Sequence, residues 1–365
     1  MPSTLRYLRA YLRPGAARVE AHEVGYDRGD ERVPATLFRP ARGPRRLPGW
    51  VVLHGLTWSG REHPALVRFA RAVAAAGNVV FVPDIPEWRA LRLDTAVTIG
   101  TIRAAVRALQ ERDDVDHERA GLFGFSFGAT QALIAATDAG VQGLLHGIAA
   151  WGGYADVERL FVYGMTGVHE LDGVRYRSEP DPYGSWIIAS QYLTSAPGHE
   201  DEAAVATAIR QLAVEAGRQR LYAGDPSFDP LKARLRAALP PERRALFDAI
   251  APPTTRPRRD SGYTRGLALE LAHTALRLDP LIDPRPVLDR VHLPILLAHG
   301  RDDRLIPFTE TIRLARALPS ASLRSATITA LFTHSGGTQP DLGLAGLTRE
   351  GLRFYGVLKG IMTLL

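Results

Sequence analysis

The pentapeptide Gly124-Phe125-Ser126-Phe127-Gly128 is the sharpest chemical signal in the chain. It follows a short apolar run with strand character and opens a stretch with helical character. A serine at such a turn needs a strained backbone to present its hydroxyl, and small flanking residues let strand and helix approach. A hydroxyl alone is a poor nucleophile; it needs a base, and a third group that orients the base. Two further segments supply those residue types. His299-Gly300-Arg301-Asp302-Asp303-Arg304-Leu305-Ile306-Pro307 follows a buried apolar run, so its carboxylates project from the C-terminal end of a strand. Leu331-Phe332-Thr333-His334-Ser335-Gly336-Gly337 follows the last predicted strand. Asp156, just past the run ending at Trp151, is a further acid in reach of a strand end.

The elements that must position these residues are legible from periodicity. Residues 1–20 contain a short amphipathic helix, with Leu5, Leu8 and Leu12 at helical spacing. Strand-like stretches follow at His22–Tyr26 and Val33–Phe38, and Trp50–Leu53 is an apolar run ending at His54-Gly55. Helices are predicted at Arg61–Ala76, Ala96–Gln110 and Ala129–Ala139, alternating with strands at Val79–Val82, Ala120–Phe123 and Leu144–Trp151. Such alternation implies βαβ units and a mostly parallel sheet. It stops near Asp156. From there to Asp289 the pattern is mainly helical (Ala203–Gly217, Leu231–Leu239, Glu242–Ile250, Tyr263–Leu278), punctuated by Pro240-Pro241, Pro252-Pro253 and Pro284-Arg285-Pro286. It resumes with strands at Ile295–Ala298 and Leu323–Leu331 and helices at Thr309–Leu318 and Arg349–Met362. The expected architecture is a mostly parallel central sheet of about eight strands, flanked by helices. Residues 1–155 and 288–365 form the core and 156–287 an inserted helical cap over the strand ends, where ligands sit in open α/β sheets.

Three motifs together, His54-Gly55-Leu56, the Ser126 pentapeptide and His299–Pro307, make the sequence resemble the α/β-hydrolase superfamily, close to its esterase and dienelactone-hydrolase-like members. The resemblance covers about 30–155 and 288–365 and leaves the insertion outside it. It implies a Ser, Asp, His order along the chain. The acid is then the last Asp of an H-G-x-x-D pattern, Asp303, with Asp302 and Asp156 as the other candidates. The base is His334, the one histidine downstream of His299. Here His334 follows Leu-Phe-Thr, where family members often have small residues. The resemblance also implies that the backbone N–H groups of Leu56 and Phe127 form the oxyanion hole. His54 itself reads as structural rather than as a proton carrier.

Aromatic residues gather near the pentapeptide and the start of the insertion: Trp58, Phe125, Phe127, Trp151, Tyr154, Phe161, Tyr163, Tyr183 and Trp186. Tyr154 and Trp58 are the expected substrate-binding members, in an apolar pocket for an acyl or alcohol group; core packing accounts for most of the others.

The totals exclude several other classes. With 365 residues the chain exceeds one small core, so one large domain with an insertion, or two domains, is expected. There are no cysteines, which removes disulfides, thiolate metal sites and a cysteine nucleophile. Net charge is +6, but the arginines are interleaved with Asp and Glu, so a solvated surface explains them better than nucleic-acid binding. No apolar run approaches the roughly 18 residues of a membrane span. The start of the chain lacks a secretory pattern, which with the missing cysteines gives a cytoplasmic expectation. Neither His22-Glu23 nor His169-Glu170 completes an H-E-x-x-H zinc motif, and His199-Glu200-Asp201-Glu202 sits before a predicted helix, where acids suit the dipole. No metal and no cofactor is expected. The partner is a small-molecule ester or acyl compound. Peptidase, thioesterase and acyltransferase chemistry remain open on the same residues, as does a catalytically silent ligand-binding protein.

Overall fold

The computed structural model describes residues 2–256, 261–332 and 342–365. The chain opens with α1 (Ser3–Leu12), a hairpin of β1 (Val19–Arg28) and β2 (Glu31–Pro40), and β3 (Leu47–Leu53). Then come α2 (Pro64–Ala75), β4 (Val79–Pro83), α3 (Pro86–Arg89), α4 (Thr95–Gln110), β5 (Val115–Phe125), α5 (Phe127–Ala135), α6 (Ala139–Gln142) and β6 (Gly147–Trp151). An insertion follows, made of α7 (Val157–Thr166), β7 (Val168–Leu171), β8 (Val174–Arg177), α8 (Pro182–Tyr192), α9 (Ala203–Gln219), α10 (Asp229–Ala238), α11 (Arg244–Ile250) and α12 (Gly262–Leu278). The chain returns through β9 (Ile295–Gly300), α13 (Thr309–Ala317), β10 (Leu323–Thr329) and α14 (Gly343–Met362).

Eight strands form one sheet in the order β1-β2-β4-β3-β5-β6-β9-β10. The β1–β2 and β2–β4 pairs are antiparallel, and every other neighbouring pair is parallel. The expected sheet, its flanking helices and the insertion between two of its strands are all present. The central strands are largely apolar because helices cover both faces; β4, β6 and β9 are buried at every position. The two-residue period then divides their side chains. Val51, Leu53 and Leu122 pack with α4 and α5, whereas Trp50, Val52 and Phe123 pack with α1, α2 and α14. Trp186, Leu212, Phe247 and Leu271 of the insertion belong to the same apolar cluster as the α4–α5 face.

Three of the departures from the expected elements bear on the site and the insertion. The helix expected at Arg61–Ala76 begins at Pro64, because a proline at the first helical position starts a helix. The helix expected from Ala129 begins at Phe127, directly on the serine turn. The insertion is not wholly helical: β7 and β8 form an antiparallel hairpin. Its Asp172-Gly173 turn has φ of 54° and 76°, the left-handed pair of a two-residue hairpin loop. His169 fastens that hairpin to the following core, stacking on Tyr176 at 5.0 Å and edge-on to Phe308 at 5.6 Å. Among the described residues no helix is long and apolar enough to cross a membrane.

Candidate active site

Ser126 stands between the last residue of β5 and the first of α5 with φ 57° and ψ −129°. A side chain in this region costs about 1–3 kcal/mol and persists only where the surroundings over-determine it. Here they do. A Cβ on Gly124 would collide with the carbonyl of Gly128, and one on Gly128 would lie 2.5 Å from the carbonyl oxygen of His54. Strand, turn and helix therefore approach to a distance that only glycine allows. Ser126 N–H donates to Trp151 O of β6 at 2.8 Å, which ties the turn to the neighbouring strand.

The loop after β3 runs against this turn. The position a Cβ would take on Gly55 lies 3.2 Å from Ser126 Cβ and 3.6 Å from its Oγ. His54 is buried beneath it, its Nδ1 2.7 Å from Gly55 O. A carbonyl can only accept, so Nδ1 carries the proton. Burial pushes the His54 pKa down to about 4, so the ring is neutral at neutral pH and sits edge-on to Trp88 at 5.4 Å.

Asp303 lies past the end of β9, its side chain wholly buried. Oδ1 accepts the N–H groups of Leu305 at 2.9 Å and Ile306 at 3.1 Å. His299 Nε2 donates to Ile306 O at 2.8 Å and lies 3.3 Å from Asp303 Oδ2, while Nδ1 faces the Thr311 hydroxyl at 2.7 Å. The loop is thus closed on its own carboxylate. Asp302, one residue earlier, is exposed. Asp156 caps α7 and pairs with Arg285 at 2.9 Å. Since β5, β6 and β9 are parallel neighbours, Ser126, Asp156 and Asp303 all follow strand C-terminal ends.

No protein-family model and no curated protein matches the chain. Solved structures do. Acylaminoacyl peptidase from Pyrococcus horikoshii superposes with a TM-score of 0.50 and 13% identity over 97% of this chain, which spans 43% of the peptidase. Est1E from Butyrivibrio proteoclasticus gives 0.46 and 14%, covering 93% of this chain and 97% of that one. An esterase from Pyrobaculum calidifontis gives 0.46 and 16%, covering 99% and 89%. The chain has the α/β-hydrolase fold.

Within this α/β-hydrolase sheet the remaining expected residues fall as follows. Phe127 is the first residue of α5, so its N–H lies in the turn where a helix has no internal acceptor and its dipole is positive. Leu56 is half-buried on the loop beside Ser126. His334 lies outside the described residues. The chain leading to it does not: Phe332 presents its carbonyl where a Cβ on Gly300 would sit, and its ring packs 5.4 Å from Trp151. Trp58 is 43% exposed. Tyr154 is fully buried, stacked on Phe127, with its hydroxyl donating to Ile282 O at 2.7 Å.

The aromatic residues do not form one group. Strand alternation sends Phe125 and Trp151 to the α2–α14 face, whereas Phe127, Phe161 and Trp186, on helices, and Tyr154, on the loop after β6, join the cluster on the other. Sequence reading missed the brace that His299 gives the Asp303 loop, although the pair is visible as the first and last residues of H-G-x-x-D. It also missed Asp181, and it named Tyr183 only among the aromatic residues; no motif marks either as a contact to the neighbouring loops. Among the described residues no group of three His, Asp or Glu is placed to hold a metal ion.

Proposed function

We propose that this chain is a serine hydrolase that cleaves a small or medium carboxylic ester. The observation that supports this reading most strongly is the strained, glycine-flanked conformation of Ser126 at a strand–helix turn. Such strain is retained where it presents a group for chemistry. Ser126 Oγ attacks the carbonyl carbon as its proton passes to His334. The tetrahedral oxyanion is held by the N–H groups of Leu56 and Phe127. Collapse expels the alkoxide, which takes the proton back from His334, and leaves an acyl-enzyme. Water then attacks the acyl carbon as its proton passes to His334, and Ser126 Oγ leaves with that proton as the acid is released. Asp303 orients His334 and offsets the charge of the imidazolium. The burial of Asp303 and the exposure of Asp302 favour Asp303 as the acid. Residues 156–287 act as the cap that selects the substrate. Trp58 is the more accessible of the two pocket candidates.

The test is hydrolysis of p-nitrophenyl esters, acetate through octanoate, by wild type and Ser126→Ala. The expected result is turnover lost by on the order of 10⁴-fold or more in the variant. Ser126→Ala retaining wild-type turnover would remove Ser126 as the nucleophile. Labelling by a fluorophosphonate, expected in wild type and absent in Ser126→Ala, reads the same nucleophile without depending on the choice of ester.

A further inference from the structure

We infer that residues 181–183, at the head of α8, hold the oxyanion loop and the acid loop in register, and that Tyr183 is a positioning residue for the Leu56 N–H. This rests on the serine-hydrolase reading above. The Tyr183 hydroxyl donates to Leu56 O at 3.2 Å. Two peptide planes meet at the Leu56 Cα: one carries the Leu56 N–H together with Gly55 O, the other carries Leu56 O. His54 Nδ1 holds the first plane through Gly55 O, and Tyr183 holds the second. In a trans peptide the C=O and N–H point opposite ways, so drawing Gly55 O towards His54 turns the Leu56 N–H away from that ring. With both planes fixed, the direction of that N–H is fixed as well.

The insertion closes over this contact. The position a Cβ would occupy on Gly217 of α9 lies 3.2 Å from the Tyr183 oxygen and 3.6 Å from Trp58 Cβ. The Arg218 guanidinium lies 4.8 Å from the centre of the Trp58 ring. Burial pushes the Tyr183 pKa upward, so the phenol keeps the proton it donates. Two residues earlier, Asp181 N–H donates to Arg304 O at 2.7 Å, one residue past Asp303. The Asp181 carboxylate accepts the N–H groups of Tyr183 at 3.0 Å and Ala223 at 3.3 Å. One helix end therefore bonds to both loops that flank the nucleophile. A specificity insertion seated in this way also completes the alignment of the oxyanion hole.

The test compares Tyr183→Phe, Gly217→Ala and the double variant with wild type on one p-nitrophenyl ester. Melting temperature is measured beside kcat and KM, and a trifluoromethyl ketone serves as the oxyanion-forming inhibitor. Misaiming one donor is expected to lower kcat about tenfold in Tyr183→Phe, less than deleting a donor would. KM stays within about twofold, and inhibitor affinity falls by the same factor as kcat. In Gly217→Ala the added methyl displaces the Tyr183 hydroxyl while alanine is the better helix former, so kcat falls without loss of melting temperature. The double variant loses no more than the worse single one, because both act on one contact. If Tyr183→Phe does not fold, Gly217→Ala carries the test alone. Folded variants with wild-type kcat and inhibitor affinity overturn the inference and leave the serine-hydrolase reading standing. A wild type that neither turns over esters nor takes up a fluorophosphonate removes both.

Discussion

The serine turn and the head of α8 both press on the loop that carries Leu56, and they do so by different means. The turn meets it backbone to backbone: Gly128 has room for no side chain against His54 O. The head of α8 meets it through one phenol and one helix end. The glycines that permit the first contact lie within five residues of sequence, although the strand end they meet comes much earlier in the chain. The second exists only because α8, 127 residues further along the chain than Leu56, folds back onto it. Contacts that press backbone on backbone are absolute; contacts made by one side chain are graded. The two should respond to mutation accordingly.

After Ser126 itself, the Asp303 loop, which the α8 side helps to hold, gives the largest expected effect. Asp303→Asn keeps the shape of the side chain but removes its charge, and kcat is expected to fall by roughly 10³–10⁴. Asp302→Asn, at an exposed position one residue away, should leave kcat within about threefold of wild type. Steady-state kinetics on one ester compare the two. A reversed ranking would move the acid to Asp302 and cut the link between the α8 contact and catalysis.

On the steric side, Gly124→Ala forces a methyl into the Gly128 carbonyl. Nothing there is a flexible side chain that moves aside, so a destabilisation of about 3 kcal/mol or more is expected. The urea midpoint measures it. A near-neutral result would mean that the turn relaxes, and the contrast between absolute and graded contacts would fail at its strongest point.

The same contrast explains what was legible in the sequence. The sheet was readable because its central strands are buried on both faces, and because turn chemistry at Gly124–Gly128 leaves a five-residue imprint. Asp303 was readable through H-G-x-x-D, whose first and last residues bond to one loop. The helices α9, α10 and α12 were readable from periodicity. The β7–β8 hairpin was missed although Asp172-Gly173 is a two-residue turn signal, because helical expectations ran across it. Tyr183 was invisible as a brace for a simpler reason. A phenol bonding a carbonyl 127 residues away leaves no pattern in either segment. The aromatic residues misled because nearness in sequence does not fix the face: the strand period turns Phe125 and Trp151 to one side, while the helices after the strands carry Phe127, Phe161 and Trp186 to the other.

The smallest expected effect separates the sheet from its junction with the insertion by pH. His54 lies under the serine turn, with burial lowering its pKa from the ordinary 6.5 to about 4. Between those values the unfolded chain binds more protons than the folded one. The stability His54 contributes is therefore present above pH 6.5 and lost as pH falls towards 4. His169, on the hairpin, is lowered to about 4 by burial and adds the same sign. Glu310 has the opposite sign. It is buried in α13, where one carboxyl oxygen accepts the N–H groups of Ala155 and Asp156 at 3.0 Å each, at the entrance to the insertion. Burial outweighs those bonds and raises its pKa from 4.5 to about 7. Here the folded chain binds more protons, so the stability it contributes is present below pH 4.5 and is withdrawn as pH rises to about 7. The His54 and Glu310 terms are each worth at most about 3 kcal/mol, that of the partly exposed His169 is reduced by solvent, and over their shared window the histidine and glutamate terms oppose one another. Glu310→Gln removes one of them. Its melting temperature should climb more steeply with pH than that of wild type between pH 4.5 and 7, with the histidine terms no longer offset. Equal slopes would mean that the two backbone N–H groups keep Glu310 ionised throughout, and that the entrance to the insertion is held by a charged clamp.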